Sequence, residues 1–407
     1  MMRSPALALV MLLIQVLTVR FLLRRLRRPL PSLLVAALYL TFNLAAVVVF
    51  FRLHVQKAPP PADRLWFCWV WRPALAWEHV HLAWAAPAAL LTVLDFLLRP
   101  LRRSRRAGLP RLFKAGRPAS AFWNLRTILL AGMLAVSAYG LHVQNQPPII
   151  HRSFLSLPNL PPALEGFSIA VLSDLHYGRG LNEATLAEAM SLAASAKPDL
   201  IVLAGDLIDD RAELAWDWRQ PLASLRSVPY GVCAVLGNHD LLLDDPAREE
   251  AILTKLGVEV LSGRRLNLPG LPLSLIGFAD TGEPGMKSRR PPGERFDFRR
   301  LAGPPRQPGH LVVFVNHRPE GFAEAAAAGA SLYLAGHLHG GQAQVPWFPN
   351  LNLARLVYGL DLVHGPYQEG PLTIYVTKGL ASSTVPFRLW AWPEISLLTI
   401  KSPTPRN

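Results

Sequence analysis

The stretch Leu332-Tyr333-Leu334-Ala335-Gly336-His337-Leu338-His339-Gly340-Gly341 decides the fold. Its first four residues form a short apolar run of the kind found in a buried strand. The run stops at a glycine and hands over at once to two imidazoles and a glycine pair. A strand that ends this way places donor side chains at its carboxyl end, where open α/β sheets bind their ligands.

The same arrangement recurs outward from this stretch. Phe167–Leu172 ends in Ser173-Asp174-Leu175-His176, and Leu200–Ala204 ends in Gly205-Asp206-Leu207-Ile208-Asp209. Val232–Leu236 ends in Gly237-Asn238-His239-Asp240, and Leu311–Val315 ends in Asn316-His317. Two further runs, Leu273–Phe278 and Leu372–Val376, read as strands without such endings. Between them the spacing predicts helices over Glu183–Ala196, Asp245–Leu256 and Pro319–Ala328. The pattern is α/β, with strands covered on both faces.

The delivered residue types point to metal chemistry. Carboxylate and imidazole suit Mn, Fe, Zn and related divalent ions, and no thiolate is offered. Two such ions clamp a phosphoryl group and generate a nucleophile from water. Gly205, Gly237 and Gly336 are expected to let the backbone turn sharply so that the next side chain faces the site. A lone Asp-x-His or Gly-Asp occurs by chance. Five such endings in order, one of them Gly-His-x-His-Gly-Gly, do not read as chance.

On these motifs the sequence resembles the calcineurin-like metallophosphoesterase superfamily over about residues 165–400. Val376-Thr377-Lys378-Gly379-Leu380 and Pro386-Phe387-Arg388 are similar to its bacterial membrane-associated branch, which usually has Arg at the position of Lys378 and Gly at that of Ala381. The resemblance implies a sandwich of two β-sheets flanked by helices and two divalent metal ions. One ion would be held by Asp174, His176, Asp206 and His339. The other would be held by Asp206, Asn238, His317 and His337, with Asp206 bridging. His239 would face the scissile oxygen as a catalytic group without ligating. Asp209 and Asp240 would support the ligands from behind. Arg179, three residues past His176, is a candidate phosphate contact, although a solvated loop arginine reads the same way. His310 precedes its strand and is expected at the far edge of the sheet, while His364 sits in a loop.

The N-terminal third has a different character. Of the 407 residues, the first 150 hold 19 Lys/Arg against 3 Asp/Glu, whereas the remainder hold 23 against 25. The overall net charge of +14 is therefore concentrated among apolar stretches. That placement fits membrane topology signals better than nucleic-acid binding, and the acidic balance after residue 150 argues against a dedicated duplex-binding face. Four stretches approach the ~20 apolar residues that a span needs: 4–23, 33–51, 74–98 and 122–141. No small-residue cleavage site follows the first, so it reads as a retained helix. Glu78, His79 and His81 lie beside Trp77 and Trp84 and read as interfacial.

The expected organisation is a membrane domain over 1–145, a linker over 146–164 containing Pro147-Pro148 and the prolines of 158–162, a catalytic domain over 165–400 and a flexible tail over 401–407. Arg24, Arg25, Arg27 and Arg28 separate the first two spans. A second basic cluster from Arg99 to Arg117 separates the last two. Both favour the cytoplasm, which places the catalytic half of this multi-pass cell-membrane protein on the outer side. Cys68 and Cys233 read as isolated thiols. The segment 282–300 is a basic, proline-rich loop suited to an anionic substrate or lipid headgroups.

The expected function is hydrolysis of a phosphodiester, phosphomonoester or pyrophosphate bond in a phosphate-containing, lipid-linked substrate. A cytoplasmic site would instead suit cleavage of the UDP-2,3-diacylglucosamine type. A non-catalytic membrane sensor or scaffold is the remaining class, and intact donors at every motif count against it.

Overall fold

The computed structural model describes residues 135–136, 138–209, 211–281, 298, 301, 309–345, 347–382 and 387–403. The first three expected spans lie outside these residues, as do the loop 282–297 and most of the fourth span. Among the described residues no helix is long and apolar enough to cross a membrane.

In chain order the strands are β1 (Ile149–Ser156), β2 (Ser168–Leu172), β3 (Leu200–Ala204), β4 (Val232–Val235), β5 (Val258–Val260), β6 (Arg264–Asn267) and β7 (Leu273–Gly277). They continue with β8 (Leu311–Val315), β9 (Leu332–Ala335), β10 (Gln344–Val345), β11 (Phe348–Asn352), β12 (Gly365–Glu369), β13 (Leu372–Val376) and β14 (Glu394–Lys401). The helices are α1 (Glu183–Ser195), α2 (Arg219–Ala223), α3 (Pro246–Lys255), α4 (Phe322–Ala327) and α5 (Leu353–Tyr358). Two six-stranded sheets form, in the orders β1-β14-β2-β3-β4-β5 and β12-β13-β9-β8-β7-β6, and β10 and β11 pair separately as a hairpin.

Side-chain alternation explains how the layers assemble. On β2, Ile169 and Val171 face the other sheet, whereas Ala170 and Leu172 face the helices. On β8, Leu311, Val313 and Val315 point inward, and Val312 and Phe314 point out toward α4. Strands covered on both faces need no polar side, so β2, β3, β4, β8 and β9 read as continuous apolar runs. Each large aliphatic side chain buried this way contributes about 1.5–3 kcal/mol before entropy is counted.

Local signals set the helix starts. Asn182 accepts from the Thr185 amide at 3.1 Å while the Thr185 hydroxyl accepts from the Asn182 amide at 3.0 Å, a reciprocal cap on α1. Asp245 caps α3 ahead of Pro246. The helix expected from Pro319 starts only at Phe322, because Gly321 adopts φ +81° and breaks the turn before it.

The structure corrects the domain limits. Residues 149–156 were expected in the linker, yet they form β1, which runs parallel to β14 from Ile149↔Glu394 to Ser156↔Lys401. The backbone groups of this segment are satisfied in a sheet ladder, not by water. Lys401, expected in the tail, ends β14, and the Ser402 amide donates to Glu165 at 2.9 Å.

Candidate metal centre

Strands β2, β3 and β4 run parallel in one sheet and β8 and β9 run parallel in the other. Their carboxyl ends meet along one edge of the sandwich. There the structure gathers three overlapping groups: Asp174, His176 and His339; His176, Asp206 and His239; and Asp206, His317 and His337. His176 and Asp206 belong to two groups each, so the donors form one continuous cluster. All are buried except His239, whose side chain is 28% exposed.

The backbone is strained to achieve this. Asp174 (φ 55°), His176 (φ 44°), Asp206 (φ 51°), His337 (φ 73°) and His339 (φ 49°) all occupy the left-handed region. Such positions cost about 1–3 kcal/mol each for non-glycine residues. Cross-strand hydrogen bonds hold them. The Asp174 amide donates to Gly205 O at 3.0 Å, the His176 amide to Asp206 O at 3.0 Å, and the Gly336 amide to His317 O at 2.9 Å. Of the three glycines expected to make sharp turns, only Gly205 has a positive φ, +86°. Gly237 and Gly336 serve another need, because a Cβ there would run into Asp206 and Ser173 respectively.

Hydrogen-bond acceptors fix the imidazole tautomers. His317 Nδ1 lies 2.8 Å from Ala204 O and His339 Nδ1 lies 2.6 Å from Ala381 O. A carbonyl only accepts, so both Nδ1 atoms carry a proton and both Nε2 atoms face the cluster. Asp209 Oδ1 does the same for two rings, at 3.3 Å from His176 Nδ1 and 2.8 Å from His239 Nδ1. His317 Nε2 then sits 3.1 Å from Asp206 Oδ2, and His176 Nε2 sits 3.6 Å from the same oxygen.

Three buried atoms of the proposed ligands lack a hydrogen-bond partner: His176 Nε2, His337 Nε2 and Asn238 Oδ1. Buried polar atoms are rarely left so. Together with an acceptor-rich, thiolate-free set of donors, they fit divalent cations.

Electrostatics follow from the packing. Burial pushes the Asp206 carboxyl up, but His317, His239 and His176 outweigh it and hold it well below the carboxylate range. Burial pulls the His239 imidazole down, but Asp206 and Asp209 reverse this and raise it to about 10. His317 is opposed by burial and raised by Asp206 to about 9. His337 and His339 are driven well below the ordinary histidine value, first by burial and then by neighbouring cations. Asp174 is pushed up, chiefly by burial.

Asp209 and Asp240 take different positions. Asp209 touches the rings, whereas Asp240 accepts backbone N–H bonds from Leu207, Ile208 and Gly237 at 2.7–2.9 Å and so ties two ligand loops together. Burial, with Asp206 next, raises its carboxyl to about 7. Arg179 is half-buried in the turn after His176, its amide donating to His176 O at 3.1 Å. His310 lies before β8 against Ser274 at 2.6 Å, away from the cluster as expected. His364 precedes β12, and its backbone N–H donates to the Tyr367 hydroxyl at 3.2 Å.

Four supporting residues were not among the candidate site residues. Arg318 and Asp280 form a fully buried ion pair at 2.7 Å beside His317. Arg388 is buried and donates to Ala381 O, the carbonyl that orients His339, at 2.6 Å. Glu249 on α3 is buried near Asp240, and burial followed by Asp240 pushes its carboxyl well up.

Comparison with known proteins agrees with this geometry. Residues 167–341 match the family model of the calcineurin-like phosphoesterases. Over these residues the chain is similar to the calcineurin-like phosphoesterases, which together with the donor cluster makes it a metal-dependent phosphoester hydrolase with a site for a dinuclear divalent metal centre. The chain is 29% identical over 290 residues to the uncharacterized metallophosphoesterase YkuE of Bacillus subtilis, covering 67% of this chain and 94% of that protein. It is 28% identical over 305 residues to a bovine protein named transmembrane protein with metallophosphoesterase domain, covering 71% and 67% respectively. Phosphodiesterase YaeI of Escherichia coli is 28% identical over 264 residues, covering 62% and 87%.

Proposed function

We propose that the chain is a membrane-anchored phosphoesterase that hydrolyses a phosphodiester, phosphomonoester or pyrophosphate bond. Asp174, His176, Asp206 and His339 would hold one ion, and Asp206, Asn238, His317 and His337 would hold the other. The observation that carries this reading is the continuous cluster of buried donors that share His176 and Asp206 and leave three inward atoms without hydrogen-bond partners. Two divalent ions bound there supply Lewis acidity and make water nucleophilic at neutral pH.

The chain's own residues do the rest. His239 donates through Nδ1 to Asp209 and keeps Nε2 for the substrate side. The Asp209 carboxylate at Nδ1 favours the protonated ring, and that proton suits the leaving oxygen. Asp209 orients this ring and that of His176 with a single oxygen. Asp240 keeps the β3 and β4 loops in register, and Arg179 is a candidate phosphate contact.

The apolar stretches before residue 142 and relatives named as transmembrane proteins support membrane association. A lipid-linked phosphate is the substrate class that such a tether favours. The two Arg clusters support an extracytoplasmic site. A reporter fused after Asn407 tests the side: alkaline phosphatase is expected to be active there, and a dark result returns nucleotide-linked lipid precursors to the front.

The assignment itself is tested with Asp206→Asn in the full chain. A neutral amide cannot balance two dications. Turnover of aryl phosphates with added Mn is expected to vanish and bound metal to drop. Near-normal activity with two metals retained would overturn the ligand set.

A further inference from the structure

Most large apolar side chains of this domain are buried, and the exceptions are unevenly placed. Among the described residues, Val345, Trp347, Phe348, Leu351 and Leu356 are all exposed within twelve positions of β10, β11 and α5. Trp347 is 91% exposed, Leu356 67% and Phe348 62%. Contiguous exposed apolar surface of this kind marks a docking site.

The base of this hairpin is fastened to the metal centre. Gln344 Nε2 donates to Gly340 O at 2.7 Å, and Gly341 lies so close to the buried Asn352 that a Cβ there would meet its Oδ1 at 3.0 Å. Asn352 also caps α5, accepting from the Arg355 amide at 2.8 Å. The apolar tip therefore projects from the same loop that carries His339.

The chain also enters the domain at this place. Residues 140–144 are helical. Gly140 O accepts from the Arg388 amide at 3.2 Å, and Gln144 Oε1 accepts from the Ser382 hydroxyl at 3.0 Å. The next residue, Leu389, pairs on its other side with the hairpin base: its amide donates to Gln342 O at 2.8 Å, and Gln344 N donates back at 2.9 Å. The short segment 387–389 thus separates the point of entry from the hairpin base. In the sequence, Gly140 closes the apolar stretch 122–141. Partly exposed Trp390 follows this segment, and tryptophan is enriched at membrane–water interfaces.

We propose that the β10–β11 hairpin with α5 is a lipid-docking finger, whose Trp347, Phe348, Leu351 and Leu356 enter the bilayer interface and seat the His337–Gly341 loop against the lipid surface. The occupant is the lipid bilayer. The proposal rests on the membrane-anchor reading above and extends it from tethering to orientation. A substrate phosphate on a lipid then meets the site at headgroup level.

The test uses the full chain in phosphatidylcholine–phosphatidylglycerol vesicles. Cys68→Ser leaves Cys233, which is buried with its thiol pushed up to about 12 and resists labelling. Trp347→Cys, and separately Leu356→Cys as a second site should the first misfold, are labelled with an environment-sensitive NBD dye. Ser195→Cys, at the far end of α1 from the metal centre, is the control. Flotation after alkaline extraction reports anchoring independently.

The expected result is blue-shifted emission at 347 and 356, quenched several-fold by nitroxide-bearing lipid, with Ser195→Cys unaffected. Emission at 347 and 356 as polar and unquenched as at 195 overturns the finger, whether or not the protein floats. Shielded emission that nitroxide lipid does not quench, and that depends on protein density, overturns it in favour of a second copy of the chain. Quenching in a protein that does not float keeps the finger and sinks only the anchor. None of these readouts needs turnover, so loss of the phosphoesterase reading leaves the test intact.

Discussion

Asp209→Ala isolates what one carboxylate oxygen does for two histidines. Asp209 Oδ1 accepts from His176 Nδ1 at 3.3 Å and His239 Nδ1 at 2.8 Å, and the residue is buried. Hydrogen bonds to a charged partner contribute about 1.5–3 kcal/mol each. Their loss falls on different functions. For His176, a released ring loses its fixed tautomer, and losing such a partner weakens metal affinity about 10–100-fold. For His239, one of the two main charges that raise its pKa disappears, so the upper limb of the pH profile set by its proton moves down.

Only the ion held through His176 should weaken, because His317 is oriented independently by Ala204 O. Calorimetric titration of the metal-free protein with Mn should resolve two unequal sites where the parent shows two tight ones. The pH profile of turnover under saturating metal should shift its upper limb downward. Equal weakening of both sites, or unchanged affinity with an unchanged pH profile, would refute the division of labour.

Other outcomes follow from the same geometry. His239→Ala should lower turnover by about 10²–10⁴ with both ions retained, as expected for a lost proton donor; metal analysis showing a missing ion would make His239 a ligand. Asp280→Ala should cost about 3–5 kcal/mol by leaving buried Arg318 without its counter-charge, seen as a lower denaturant midpoint, and Asp280→Ala with Arg318→Met should recover part of it. In the metal-free protein, His317 and His239 have folded pKa values near 9 and 10, above the unfolded value of about 6.5. Their stabilisation is full below pH 6.5 and is lost as pH rises through 9 and 10, so the melting temperature should fall from pH 7 to 9. Metal affinity should rise over the same interval, because the His317 proton must leave before a metal can bind.

The metal-facing half of this chemistry was legible in the sequence because each donor follows a buried strand within four residues. Leu200–Ala204, Leu311–Val315, Leu332–Ala335 and Leu372–Val376 coincide with β3, β8, β9 and β13. What escaped was whatever depends on a distant partner. β1 contains His151-Arg152 and follows a proline pair, and nothing local says that residues 394–401 will complete its ladder. Glu249 looks like any polar position on a short helix until Asp240 is folded beside it. Gly237 and Gly336 were read as hinges because turns are local, whereas the clashes that require them involve Asp206 and Ser173 on other strands. The hairpin around Trp347 follows His339 so closely in sequence that the motif drew the reading away from it.

The position of β14 sets an order of events during synthesis. It lies between β1 and β2, antiparallel to β2 and parallel to β1. The strand that bears Asp174 and His176 therefore has an open flank until Glu394–Lys401 has been made. Until then β1 has no neighbour in its sheet, and the edge of β2 is open to pairing with other chains. Contacts of such long sequence separation form late. A nascent chain that has already exposed all seven proposed ligands still lacks the strand that closes the sheet beneath the first two. Translation must run past Lys401 before the metal centre can become rigid.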